Sequence, residues 1–235
     1  MARELYDLQG REDKRFSPFC WRARMALWHK GLDADFIPVQ FGQKDKIAFS
    51  GQKLVPVLRE DDGRVVHDSW TIACYLEDAY ADRPSLFGGA AGRAGAHFLN
   101  GWVDSAVHPG IVRLVLSHIH DNGIVEADQP YFRTSREKRL GMTLEEFTDS
   151  SENQIAAFRA ALQLARLTLE EMPYLAGPEP LYADYILFGS FKSVNLCCSL
   201  VLLAKDDPIY DWYERMLGLF DGFAASDGAA QGQAA

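Results

Sequence analysis

Two kinds of hydrophobic spacing divide this chain, with the change near residue 85. Glu4-Leu5-Tyr6-Asp7-Leu8 is a short apolar run bounded by polar residues, which predicts a strand. Phe19, Cys20, Ala23, Ala26 and Leu27 then recur at helical spacing, with Gly31 as a stop signal. Pro18 suits the first turn of that helix, where its missing N–H costs nothing, and Ser17 falls at the N-cap. Asp35-Phe36-Ile37-Pro38-Val39 predicts a second strand, and Pro38 cannot donate a ladder hydrogen bond, so this strand belongs at a sheet edge. The βαβ order implies parallel pairing through a right-handed crossover. Residues 40–51 are polar with scattered apolar positions and predict a short irregular helix. Leu54-Val55-Pro56-Val57-Leu58 and Val65-Val66-His67 flank Asp61-Asp62-Gly63-Arg64, a β-hairpin with acidic-glycine turn chemistry. Asp68-Ser69 opens a helix whose inner face is Ile72, Ala73, Leu76 and Tyr80.

Beyond this point every periodic segment is helical. Residues 86–95 are rich in glycine and alanine and read as a linker. Leu99, Trp102, Val103, Ala106, Val107, Ile111, Leu114 and Val115 trace one long helix with Pro109 inside it, which predicts a kink near Ser105. Residues 131–139 form a basic stretch that reads as a solvated helix face. A capping box at Thr143-Leu144-Glu145-Glu146 starts an apolar stripe expected to run unbroken to Pro173. A helix over 183–203 is apolar on most sides and should be the buried core helix. Asp207-Pro208 opens a last helix with Ile209, Trp212, Tyr213, Met216 and Phe220 facing inward. The expected organisation is an α/β domain over 1–85, a linker over 86–95, an all-helical domain over 96–222, and a disordered tail over 223–235.

A formal net charge of −9 argues against nucleic acid or an anionic membrane surface as partner. The four cysteines, Cys20, Cys74, Cys197 and Cys198, form no regular framework, so a reducing, cytoplasmic setting is expected. The first residues lack the apolar core of a signal peptide, and the longest apolar run, over 196–204, is far too short to cross a bilayer. No metal is expected: His118 and His120 are two apart, which on a helix turns them away from each other. Neither Cys-x-x-Cys nor His-Glu-x-x-His occurs.

Three separated segments carry candidate chemistry. Ser17 lies beside free backbone donors at the positive end of a helix dipole; its hydroxyl can cap the helix or donate to an anion bound there. Proline at a strand start is compatible with a trans Val55-Pro56 bond, whereas a cis bond would turn the backbone of Val55 outward, free to pair with an extended ligand. Asp68 and Ser69 offer a carboxylate for an ammonium and a hydroxyl for a carboxylate, the pairing an α-amino acid head group needs, though either residue can also serve only as a cap.

These segments, Phe16-Ser17-Pro18-Phe19-Cys20-Trp21-Arg22, Leu54-Val55-Pro56-Val57 and Asp68-Ser69, occur in the order found in the thioredoxin-like half of a cytosolic glutathione transferase, and the resemblance spans nearly the whole chain. Tyr182-Ala183-Asp184-Tyr185 resembles the core-helix capping motif of that family's second domain, but Leu181 stands where the family carries Ser or Thr, so only half of the capping box can form. Tyr6-Asp7-Leu8-Gln9, Asp68-Ser69-Trp70, the 131–139 stretch and Asp206-Asp207-Pro208 are similar to the serine-type branch that contains bacterial lignin β-etherases and related fungal enzymes.

The resemblance implies a thioredoxin-like N-terminal domain plus an all-α domain, glutathione as co-substrate, a homodimer, and Ser17 as the catalytic hydroxyl. Glutathione would be held by Phe19, Lys53, Val55, Pro56, Asp68 and Ser69, with Lys44 a further candidate for the glycine carboxylate. A hydrophobic electrophile would meet Asp104, His108 and Ile111, with a buried packing role the other reading for Ile111. The thiol of glutathione has a pKa of about 8.5–9 in water, and lowering it by two units takes about 2.7 kcal/mol, within reach of one charge-assisted hydrogen bond and a helix end. Two other readings share these motifs: a thiol reductase using Cys20, and a ligand-binding protein without turnover.

Overall fold

The structure, a computed structural model, describes residues 2–225. Strands β1 (Glu4–Leu8), β2 (Asp35–Val39), β3 (Val57–Arg59) and β4 (Val65–His67) form a mixed sheet in the order β2-β1-β3-β4. β1 and β2 run parallel with Tyr6 opposite Ile37 and Asp7 opposite Pro38. That leaves the proline strand at an edge, as its missing donor requires. β3 runs antiparallel to β1 and to β4. Helix α1 (Pro18–His29) makes the crossover, and α2 (Ser69–Ala79) follows the hairpin.

The rest is helical: α3 (Ala90–Trp102), α4 (His108–His118), α5 (Gln129–Leu140), α6 (Leu144–Phe147), α7 (Glu152–Ala161), α8 (Gln163–Glu171), α9 (Tyr182–Cys197) and α10 (Pro208–Leu217). Among the described residues, no helix is long and apolar enough to cross a membrane. The two halves share one core because α9 lies along α1. Trp21 of α1 meets Phe188 of α9 edge-on at 6.3 Å, and both are buried. Close approach depends on Gly189: a Cβ there would sit 2.4 Å from the carbonyl oxygen of Pro18. α9 starts with the expected half box, in which Asp184 accepts hydrogen bonds from the N–H groups of Leu181 (3.1 Å) and Leu175 (2.7 Å) and from Trp212 Nε1 (2.9 Å).

Several expectations are corrected. The 86–95 stretch is not a plain linker: Leu86 and Phe87 are buried, Tyr182 N–H donates to the Leu86 carbonyl at 2.8 Å, and α3 has begun by Ala90. At the position where Pro109 predicts a kink, the helix is irregular rather than continuous. A π-helical turn over Val103–Val107 absorbs its missing donor, with His108 N–H reaching back to the Val103 carbonyl. The stripe after Thr143 is cut, because Thr148, Asp149 and Ser150 leave the helix to bond Ser117, Arg113 and Leu114 of α4, and Ser151 caps a new helix. α9 ends at Cys197 rather than reaching 203. The expected tail starts too early: Phe223 is buried, 4.6 Å from the Trp28 ring and 5.9 Å from that of Trp21. Its remainder, 226–235, lies outside the described residues.

Candidate active site

Ser17 sits where the sequence places it, at the N-cap of α1 in an extended conformation, with Pro18 in the first turn. Its Oγ accepts the Cys20 N–H at 3.2 Å, so the hydroxyl caps the helix while its own proton remains available to donate. Ser17 is only 5% exposed, yet it lines a cavity of about 360 Å³ between the two halves. Phe19 lines the same cavity; its ring meets His108 edge-on at 5.5 Å and lies under the Arg22 guanidinium at 4.8 Å. Arg22 is buried and bridges α1 to the helical half, donating to Asp104 Oδ1 (2.7 Å), Asn100 Oδ1 (3.1 Å) and the Ile186 carbonyl (3.3 Å).

Cys20 faces the other way. It is 1% exposed and absent from the cavity wall, and burial followed by the nearby Asp7 carboxylate pushes its thiol well above the ordinary value. Burial and a raised pKa both favour the protonated thiol over the thiolate. Beneath it, the buried carboxylate of Asp7 is paired with Arg24 and lies 3.7 Å from Arg15.

The loop after β2 and the segment before β3 also contribute to the wall. Gln40, Phe41, Lys44, Lys53, Leu54 and Val55 line it, and the Val55–Pro56 peptide bond is cis. Pro56 itself is buried. Asp68 and Ser69 lie outside this half-open cavity, at the N-terminus of α2. Asp68 caps that helix through Oδ1, which accepts Thr71 N–H at 3.0 Å and the Thr71 hydroxyl at 3.2 Å. It holds φ at +71°, a strained backbone for a non-glycine residue and of the kind that collects at ligand clamps. Ser69 is buried, and its carbonyl accepts the Tyr182 hydroxyl at 2.7 Å.

Two family models match, one on each side of the change in pattern. A model for the N-terminal domain of glutathione S-transferases covers residues 16–79, and one for the C-terminal domain covers 94–201. The chain belongs to the glutathione S-transferase superfamily. A glutathione transferase from Phanerochaete chrysosporium is 26% identical, with a TM-score of 0.75 and 97% of this chain and 95% of that one covered. One from Ceriporiopsis subvermispora, solved in complex with glutathione, shares the fold at 21% identity, with a TM-score of 0.74 over 97% of this chain and 95% of that one. Glutathione S-transferase Z2 of Arabidopsis thaliana is 39% identical over 70 residues, 28% of this chain. That match spans 31% of the Arabidopsis protein's length. The glutathione S-transferase fold is therefore that of a thioredoxin-like domain followed by helices.

On this glutathione S-transferase scaffold the candidate residues separate. Ser17, Phe19, Lys53, Val55 and His108 converge on the cavity, while Asp104 and Ile111 do not line it. Asp104 is engaged by Arg22 and Asn100. Ile111 is 2% exposed and points into the core, and the next residue, Val112, turned about 100° around α4, lines the cavity in its place. His108 is pushed down to about 4 by burial, with the Arg22 charge adding to it, so its imidazole is neutral at neutral pH. The basic 131–139 stretch is not simply a solvated face: Tyr131, Phe132, Arg136 and Arg139 of α5 line the cavity. Lys44 Nζ donates to the Tyr131 hydroxyl at 2.6 Å, tying the two halves across the cavity. The interleaved Tyr131, Phe132 and Arg136 were the available signal, because aromatic and cationic groups alternating at helical spacing make a ligand-binding face as readily as a solvated one.

Proposed function

We propose that the protein is a glutathione transferase that uses Ser17 to stabilise the glutathione thiolate and directs it at a hydrophobic, aromatic electrophile, with β-aryl ether cleavage as the specific reaction the branch resemblance suggests. The observation that carries this reading is that Ser17 and Val55 line one cavity, with Ser17 Oγ at the N-terminus of α1. The extended tripeptide lies along Val55, whose backbone pairs with the cysteinyl residue. Asp68 and Ser69 hold the γ-glutamyl head group at the N-terminus of α2, and Lys53 takes the glycine carboxylate. The sulfur then rests near the start of α1, where the hydroxyl donates to it and the helix dipole favours its negative charge.

In the reaction the thiolate forms a bond to the electrophilic carbon, and the bond to the leaving group breaks with both electrons going to that group. The thiol proton is released before attack, and Ser17 is unchanged at the end. Phe19 and the uncharged imidazole of His108 meet edge-on in the wall beside the reacting sulfur. A dry wall strengthens the one hydrogen bond that matters. We further propose that the protein works in the cytoplasm, needs no metal, and assembles as a homodimer, which the mass on a sizing column decides.

Replacing Ser17 by Ala should raise the pKa of bound glutathione and lower turnover by about 10- to 100-fold, the worth of one charge-assisted hydrogen bond. Cys20→Ser should leave both nearly unchanged, since the burial and raised pKa of Cys20 favour a packing role. Loss of turnover in Cys20→Ser with full activity in Ser17→Ala would replace this reading with thiol exchange.

A further inference from the structure

The cavity is lined by Lys44, Lys53, Arg136 and Arg139 and by neither aspartate nor glutamate, in a chain whose net charge is −9. Arg136 is the more buried of the two arginines in this set. Its guanidinium lies 4.2 Å from the Phe132 ring centroid and 5.2 Å from that of Phe41, and those two rings meet edge-on at 5.5 Å. Its hydrogen bond from Nη1 goes to Ser135 Oγ at 2.8 Å, a neutral hydroxyl. Among the described residues no carboxylate lies within 4.0 Å of it, nor of Lys44, Lys53 or Arg139, whereas the buried Arg15, Arg22 and Arg24 each have one. Burial lowers the pKa of Arg136, and the neighbouring Arg139 lowers it further.

A half-buried cation next to a second cation is an unfavourable arrangement for an empty site. An anion entering between them relieves both terms. A guanidinium presents a planar fork that matches a carboxylate in two parallel hydrogen bonds, and the two neighbouring rings limit where that fork can move. Val112, Leu116, Ile119, Phe41 and Phe132 supply apolar wall around it, suited to an aromatic body. Lys53 is already engaged in the proposed glutathione site, which leaves the α5 cations for the second substrate.

We propose that the electrophile is an anionic aromatic compound carrying a carboxylate, and that Arg136 recognises that carboxylate. This rests on the glutathione transfer proposed above. The probe pair is a chloronitrobenzoate and the matching chloronitrobenzamide. In both, thiolate displaces chloride, which leaves with its electron pair, and the two substrates differ by one charge. At saturating glutathione, Arg136→Leu should lower the benzoate-to-benzamide ratio of kcat/KM about tenfold or more, and Arg136→Lys should keep an intermediate ratio because it retains the charge without the fork. High salt should compress the ratio in the unmodified protein. An unchanged ratio in Arg136→Leu overturns the inference. So does a variant whose defect lies wholly in the KM for glutathione, since Arg136 would then hold the tripeptide's own carboxylate. If the unmodified protein turns over neither substrate, the proposed transfer fails, and titration calorimetry of the benzoate against the benzamide decides the inference by the same tenfold criterion.

Discussion

Gly189 lies in the buried helix α9, far from Ser17 in sequence, yet its replacement by alanine should damage catalysis more than stability. The new Cβ would stand 2.4 Å from the Pro18 carbonyl oxygen, 3.2 Å from its carbonyl carbon and 3.4 Å from its Cα. Ordinary contact begins at 3.4 Å, so the first turn of α1 must retreat by 3.4 − 2.4, about 1 Å. Overpacking of this kind costs about 1–3 kcal/mol, and the better helix propensity of alanine returns about 1 kcal/mol. Net destabilisation is therefore about 0–2 kcal/mol. Pro18 is bonded to Ser17, and a displacement of about 1 Å at a group that must meet the sulfur costs about 10- to 100-fold in turnover. The control is Gly101→Ala in α3, where a Cβ meets nothing within 4 Å and alanine should stabilise by up to about 1 kcal/mol. Denaturant midpoints, steady-state kinetics and a spectroscopic titration of the bound thiol separate the outcomes. Turnover and thiol pKa unchanged in Gly189→Ala, with or without lost stability, would refute the idea that α9 positions the serine.

Two further outcomes follow from buried groups. His108 has its pKa lowered from 6.5 to about 4, so as pH falls the unfolded chain takes up the proton first and stability is lost between those values; the difference, at 1.36 kcal/mol per unit, is about 3 kcal/mol. Unfolding free energies measured at pH 7 and at pH 4 should fall by about that much more in the unmodified protein than in His108→Phe, and equal falls would show that His108 is not the titrating group. Asp184→Ala strands three buried donors, Leu175 N–H, Leu181 N–H and Trp212 Nε1–H, and should destabilise by about 3–5 kcal/mol in a denaturant titration; a loss under about 1 kcal/mol would mean that other acceptors take them up.

The order of elements in the first half was legible because it rests on local rules. Ser17 and Pro18 mark a helix start through cap chemistry that needs no distant partner, and Pro38 names its strand as an edge by lacking a donor. Several of the errors involve contacts between segments remote in sequence. Nothing in 143–172 betrays that Thr148 and Ser150 will bond α4, and a lone Phe223 among small residues gives no sign of a seat on Trp28 and Trp21. The same limit governs the candidate site. Spacing placed Ser17, Val55 and Asp68 at element boundaries, where backbone groups are unpaired and a ligand can use them. It left Ile111 open between the cavity and the core, where it lies, and overlooked Val112, because the chain passes through a π-helical turn just before, and one extra residue rotates every later position by about 100° around the helix. Arg136 escaped for a different reason. Its significance lies in a missing partner, and a carboxylate that is absent from a neighbourhood leaves no mark on the sequence of that neighbourhood. The charge balance of a cavity becomes visible only once the fold has gathered its walls, and here it has gathered four cations around rings that can take an aromatic acid.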